Sequence, residues 1–160
     1  MLNVFCDGSI VGGHWGKKTG PKTIPRIYAG WWAQAEDGSV VHHHCWDMGA
    51  FETASANVAE YGAVRSALHW LSKNGYRLHA LQVHSDSQLV MCQLSGAYNT
   101  HDARLRFMRD HVRELAALFP LVTYHWIARE ENEVADVLSK ALQTWGRVPT
   151  WDEVMTRVSG

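Results

Sequence analysis

The sequence lacks any apolar run approaching the roughly 20 residues needed to cross a bilayer. A polar Cys6-Asp7-Gly8-Ser9 follows the first five residues, so neither a spanning helix nor a secretory leader is expected. Cysteine is scarce as well: Cys6, Cys45 and Cys92 are an odd number, which excludes a fully paired disulfide framework. Cys6 lies in an apolar run where a free buried thiol is ordinary, and a reducing, cytoplasmic setting suits all three. Charge of one sign is also missing. A net charge of −1 excludes the strongly basic overall field that would by itself mark a nucleic-acid binder, so any basic surface must be local. Repeats and low-complexity linkers are absent, and no obligate protein partner is evident.

What is present is an ordinary globular composition, 46% hydrophobic over 160 residues, enough for one domain with its own core. Residues 2–6 read as a short buried strand that runs into polar punctuation. Residues 10–26 hold too many glycines and prolines for a helix and carry Lys17, Lys18, Lys22 and Arg26, the only concentrated basic segment. The aromatic and β-branched runs at 27–35 and 40–48, separated by Glu36-Asp37-Gly38-Ser39, predict a hairpin. Val64, Ala67, Leu68 and Leu71 recur at helical spacing within a predicted helix over 57–73 that Asn74-Gly75 would close. A fourth strand is predicted at 78–84, a short helix to 94, a helix over 104–118 and a fifth strand at 121–127. A last helix is predicted over 132–145, and beyond Pro149 a small helix begins with a Thr150/Glu153 capping box. Two strands reached by helical crossovers call for an α/β fold with a mixed, helix-covered sheet.

The chemistry-bearing residues are acidic. Asp86 alone could cap a helix and Asp7 serve a turn, while Glu60 and Asp136 could be solvated helix charges. Yet Val4-Phe5-Cys6-Asp7 and Val83-His84-Ser85-Asp86 both run apolar into an aspartate. If those strands lie parallel and adjacent, their carboxylates share one sheet edge, where α/β proteins build sites. Carboxylates brought together raise one another's pKa, and a hard cation such as magnesium or manganese is what makes such a cluster tolerable.

Four segments carry a resemblance: Asp7-Gly8-Ser9, Asn57-Val58-Ala59-Glu60, Ser85-Asp86-Ser87-Gln88-Leu89-Val90, and Arg129 through Asp136 with Asn132 within it. In that order and placement they resemble the motifs of the type 1 ribonuclease H family over residues 2–144. The resemblance implies a five-stranded mixed sheet in order 3-2-1-4-5 with strand 2 antiparallel. It also implies hydrolysis of the RNA strand of RNA/DNA hybrids by two metals, Mg2+ or Mn2+ in its place. Asp7, Glu60, Asp86 and Asp136 would be the catalytic metal ligands. Gly8, Ser9, Asn57, Gln88, Arg129 and Asn132 would touch the substrate, partly through the minor groove where 2′-hydroxyls mark RNA. Residues 1–146 would form this domain, with 147–160 a short helical extension of it.

The sequence also departs from the family. The loop before Asp136 has no histidine, and Arg129 matches the arginine of a histidine-lacking branch. No Lys-rich protrusion is visible between residues 99 and 118, so Lys17, Lys18 and Lys22 are candidates for phosphate contacts instead. His42-His43-His44-Cys45 invites a zinc reading, but strand alternation sends neighbours to opposite faces. Two other functions remain open at this level: a different two-metal nuclease of transposase or junction-resolving type, and a catalytically silent domain that binds nucleic acid.

Overall fold

A computed structural model describes residues 1–13 and 23–160. Three strands open the chain: β1 (Leu2–Val11), β2 (Arg26–Ala35) and β3 (Val40–Ala50). Then follow α1 (Ala56–Lys73), β4 (Leu81–Ser85), α2 (Gln88–Ser95), α3 (Ala103–Ala116) and β5 (Val122–Trp126). After a single 3-10 turn at Arg129–Glu131 come α4 (Glu133–Ser139), α5 (Ala141–Trp145) and α6 (Trp151–Ser159). The five strands form one sheet in the order β3-β2-β1-β4-β5. β1 is antiparallel to β2 and parallel to β4, and β4 is parallel to β5. This is the mixed sheet the sequence led one to expect.

The core lies between one sheet face and α1, α2 and α3, where Val4, Trp31, Tyr61, Leu68, Leu71, Val83 and Met91 are fully buried. α4 and α6 pack together on the opposite face over β1 and β2. Ser55 caps α1 by accepting from the Val58 N–H at 3.2 Å, and Thr150 with Glu153 forms the capping box of α6.

Three boundaries differ from the sequence expectation. β1 continues through Asp7 to Val11 because β2 stays paired with it to Arg26, whereas β4 leaves at Ser85. β4 begins at Leu81, the partner of Leu2, since upstream of Leu2 the neighbouring strand is exhausted; Leu78 is exposed. The single helix expected over 132–145 is broken at Lys140. The Ser139 hydroxyl donates to the Asp136 carbonyl at 2.7 Å, and the Lys140 N–H turns to the Val137 carbonyl at 3.2 Å.

Two glycines set how closely the helices approach the sheet. A Cβ on Gly8 would collide with the α1 backbone at Ala59 and Glu60, and one on Gly30 with the α4 backbone at Leu138 and Ser139. Bare backbone at these positions lets α1 descend onto β1, and α4 onto β2. No helix among the described residues is long and apolar enough to cross a membrane.

Candidate active site

The β1–β4 ladder ends at the pair Cys6 and Ser85. The next residue on each strand is an aspartate, so Asp7 and Asp86 stand side by side where the two strands part. Asp7 is 5% exposed and held on its other side by β2. Asp86 follows β4 and is free of the capping role open to it, because Ser87 caps α2 by accepting from the Val90 N–H at 3.3 Å. The contact at Gly8 brings the second turn of α1 over β1 and places Glu60, 9% exposed, beside both. Carboxylate oxygens of Asp7, Glu60 and Asp86 lie within 4.8 Å of one another, and they form the sole such group of metal-capable side chains among the described residues.

Short polar side chains hold this trio. The Ser85 hydroxyl donates to Glu60 Oε2 at 3.3 Å and accepts from the Ser87 N–H at 3.1 Å. The Ser139 hydroxyl, buried at the end of α4, lies 3.2 Å from Asp7 Oδ2 as well as bonding the Asp136 carbonyl. Ser9 Oγ in turn donates to the Ser139 carbonyl at 2.8 Å, tying β1 to α4. Asp136 comes from the first turn of α4, outside the trio, with its carboxylate 3.0 Å from Lys140 Nζ.

Burial, and then the charge of Asp86, pushes the Asp7 carboxyl up to about 7, with Asp136 adding to the repulsion. Burial and then the charge of Asp7 push Glu60 well above the ordinary carboxyl range. Burial likewise raises the Cys6 thiol, helped by Glu60 and Asp7, so Cys6 is no nucleophile. The donors at this point are all carboxylate oxygens, two of them nearly excluded from water. That set fits a hard divalent cation, whose charge offsets the mutual repulsion and draws the carboxyls into their ionised form.

The expected substrate contacts fall in several environments. Gly8 is covered by α1, and Ser9 is half-buried in its bond to Ser139. Asn57 is half-buried in the first turn of α1, with Ser55 rather than Asn57 as the cap. Gln88 is exposed and donates to the Tyr98 hydroxyl at 3.2 Å. Arg129 extends into solvent with its Nε 3.7 Å from Asp86 Oδ2. Asn132 departs from its expected place at the substrate: it is 2% exposed and donates through Nδ2 to the Cys6 carbonyl at 2.9 Å, an internal strut between α4 and β1. Its residue type suits that strut, since an amide N–H can donate to a backbone carbonyl where the β1–β4 ladder ends. Lys17, Lys18 and Lys22 lie outside the described residues.

Sequence reasoning missed Ser139 and Lys140, and gave Ser85 no role of its own. A signal for Ser139 existed. It falls in the buried stripe of α4 with Ala135 and Leu138, where a hydroxyl needs a partner. The four histidine-cysteine neighbours of β3 divide by face as alternation requires: His42 stacks on Trp70 of α1, while His43 Nε2 bonds the Pro149 carbonyl on the other side.

A protein-family model described as reverse transcriptase-like matches residues 29–142, which include Glu60, Asp86 and Asp136 but not Asp7. The chain is 36% identical over 138 residues to the ribonuclease HI of Halobacterium salinarum, covering 86% of this chain and 62% of that protein. The chain thus spans somewhat less than two thirds of that curated relative. Its fold is similar to the crystal structure of RNase H1 from Halobacterium salinarum NRC-1, with a TM-score of 0.76, 30% identity, and coverage of 89% of this chain and 98% of that one. It is also similar in fold to LC11-RNase H1 solved in complex with an RNA/DNA hybrid, with a TM-score of 0.72, 24% identity, and coverage of 88% and 95%.

Proposed function

Since the chain belongs to the type 1 ribonuclease H family, we propose that it is a divalent-metal-dependent endoribonuclease that hydrolyses the RNA strand of RNA/DNA hybrids. The observation that carries this reading is the trio of Asp7, Glu60 and Asp86, whose oxygens converge within 4.8 Å while two of the three are buried. A fold with no catalytic task gains nothing from so costly a grouping of like charges.

Asp7, Glu60 and Asp86 would hold Mg2+, or Mn2+ in its place, with Asp136 completing a site for two ions. Bound there, such ions supply an activated water and charge neutralisation at the phosphodiester. The chain's own residues perform the rest. Asp7 is fixed by β1 pairing and by Ser139, and Glu60 by Ser85, so the ligands need little rearrangement on binding. Lys140 holds the Asp136 carboxylate by an ion pair at 3.0 Å. Asn57, Gln88 and the β1 backbone around Ser9, each within a few residues of a cluster carboxylate in sequence, would serve the groove where 2′-hydroxyls are displayed. Arg129, extended beside Asp86, is suited to a phosphate oxygen.

The test is incubation of the purified chain with matched RNA/DNA, RNA/RNA and DNA/DNA duplexes, with Mg2+, with Mn2+ and with chelator. The expected result is metal-dependent cutting of RNA in the hybrid alone, leaving 5′-phosphate and 3′-hydroxyl ends. Equal cutting of duplex DNA, or a 2′,3′-cyclic phosphate product, would overturn it.

A further inference from the structure

A second concavity, unrelated to the carboxylates, lies between α1 and β3. Its volume is about 340 Å3 and it is lined by His44, Trp46, Arg65, Ser66, His69 and Trp70. That lining combines aromatic rings with a guanidinium and contains no carboxylate. β3 is an edge strand of the sheet, so alternate residues 42, 44 and 46 reach past β2 towards α1, which meets them between one and three turns beyond Glu60.

The rings differ in availability. Trp70 is already engaged, stacked on His42 with centroids 3.9 Å apart and planes within 7°. Trp46 makes no aromatic pair among the described residues and is 36% exposed. Ser66 accepts from the Trp31 indole N–H at 3.1 Å and serves as floor.

The charges are available as well. Arg65, His69 and Lys73 follow one another at four-residue steps along α1, about 6 Å apart, and among the described residues none of the three side chains has an ion-pair or hydrogen-bond partner. From Tyr61 to the end of α1 no acidic residue occurs. Asp47, next to Trp46, is held by Arg26 at 2.7 Å. Burial, and then the charge of His43, lowers the His44 pKa, so the fixed positive charge in the lining is that of Arg65, with Lys73 two turns further along α1. An exposed indole beside an unpaired guanidinium is the chemistry that takes a base by stacking and its phosphate by charge.

The position suits such a ligand. Asp7 pairs with Gly30, and Gly30 with Cys45, the neighbour of Trp46. The backbones of Asp7 and Cys45 are thus two strand spacings apart, about 10 Å, and Trp46 turns to the α1 face, the same face from which Glu60 descends. We propose that this cavity binds one unpaired nucleotide of a strand continuing past the hybrid, its base on Trp46 and its phosphate at Arg65. The inference rests on the hybrid-binding reading above and adds a preference for substrates with single-stranded tails.

The experiment measures binding of a fluorescein-labelled hybrid, blunt or with a short single-stranded tail, to the full chain in chelator, and separately the cleavage of each in Mg2+. The tail is expected to tighten binding about 10-fold. Trp46→Ala and Arg65→Ala should each return the tailed hybrid to the blunt value, with cleavage of the blunt hybrid unchanged. Arg65→Ala removes no buried ring and serves if Trp46→Ala fails to fold. No gain from the tail, a gain that survives both substitutions, or equal weakening of blunt and tailed hybrids would overturn the proposal. Competition by adenosine monophosphate as effective as by an oligothymidylate would assign the cavity to free nucleotides instead. Binding is read without cleavage. A tail effect in a chain that cuts nothing therefore defeats only the hydrolytic reading, and cutting without a tail effect defeats only this one.

Discussion

Asp7 is a buried carboxyl raised from 3.8 to about 7, and this gives it a measurable effect on stability without metal. Because the folded protein holds the proton more tightly than the unfolded chain, the stability Asp7 contributes is complete below about pH 3.8 and is lost as pH rises through about 7. The interval corresponds to at most about 4 kcal/mol, shared with the neighbouring carboxyls. Asp7→Asn should therefore melt higher than the parent at pH 7.5 in chelator and show a flatter dependence of melting temperature on pH between 4 and 7. The same variant should have lost hybrid cleavage. Adding Mg2+ should raise the melting temperature of the parent and leave that of Asp7→Asn nearly unmoved. A parent whose stability rises with pH across that window would show that the cluster is not the strained group its geometry indicates.

At the level of elements, the site depends on how far α1 and α4 sink onto the sheet. Gly30 is the sharper case, since any Cβ there meets the α4 backbone, which has no rotamer to yield. Gly30→Ala should lift α4 from β2, separate Ser139 from Asp7 and move Asp136 away from the trio. A stability loss of about 1–3 kcal/mol in urea denaturation is expected, together with a fall in kcat larger than any change in KM. Gly38, where a Cβ has nothing within 4 Å but φ is +87°, offers the contrast. Gly38→Asn should change stability little, because asparagine tolerates that backbone region, and should leave cleavage intact. If Gly30→Ala retained full turnover, the seating of α4 would not be what positions the site.

For the whole molecule, a net charge of −1 leaves duplex binding to local clusters. Lys17, Lys18 and Lys22 form the densest of these in sequence. Their joint replacement by alanine should weaken hybrid binding and reduce the slope of log K against log salt by about 0.9 for each phosphate no longer neutralised. Turnover at saturating substrate should stay near the parental value. A salt slope identical to the parent's would assign the electrostatic attachment elsewhere, with the arginines of α3 the next group to test.

The order of the elements, the hairpin and the α6 capping box were legible in the sequence. Each is written in short-range terms: a period of two or of 3.6, a turn dipeptide, a cap three residues from its partner. Asp7 and Asp86 stood out in the sequence because each ends an apolar run, and Glu60 and Asp136 through the family resemblance. What depended on contacts between distant segments was not legible. Asn132 bonds Cys6 across 126 positions and Ser139 reaches Asp7 across 132, and no local pattern encodes either. The same holds for the break at Lys140, the extension of β1 to Val11 and the cavity between α1 and β3. The sequence by itself determined which side chains are acidic, apolar or aromatic and along which element they recur. Only the tertiary structure decided which of them touch, because strand register and helix seating are set by packing over the whole sheet.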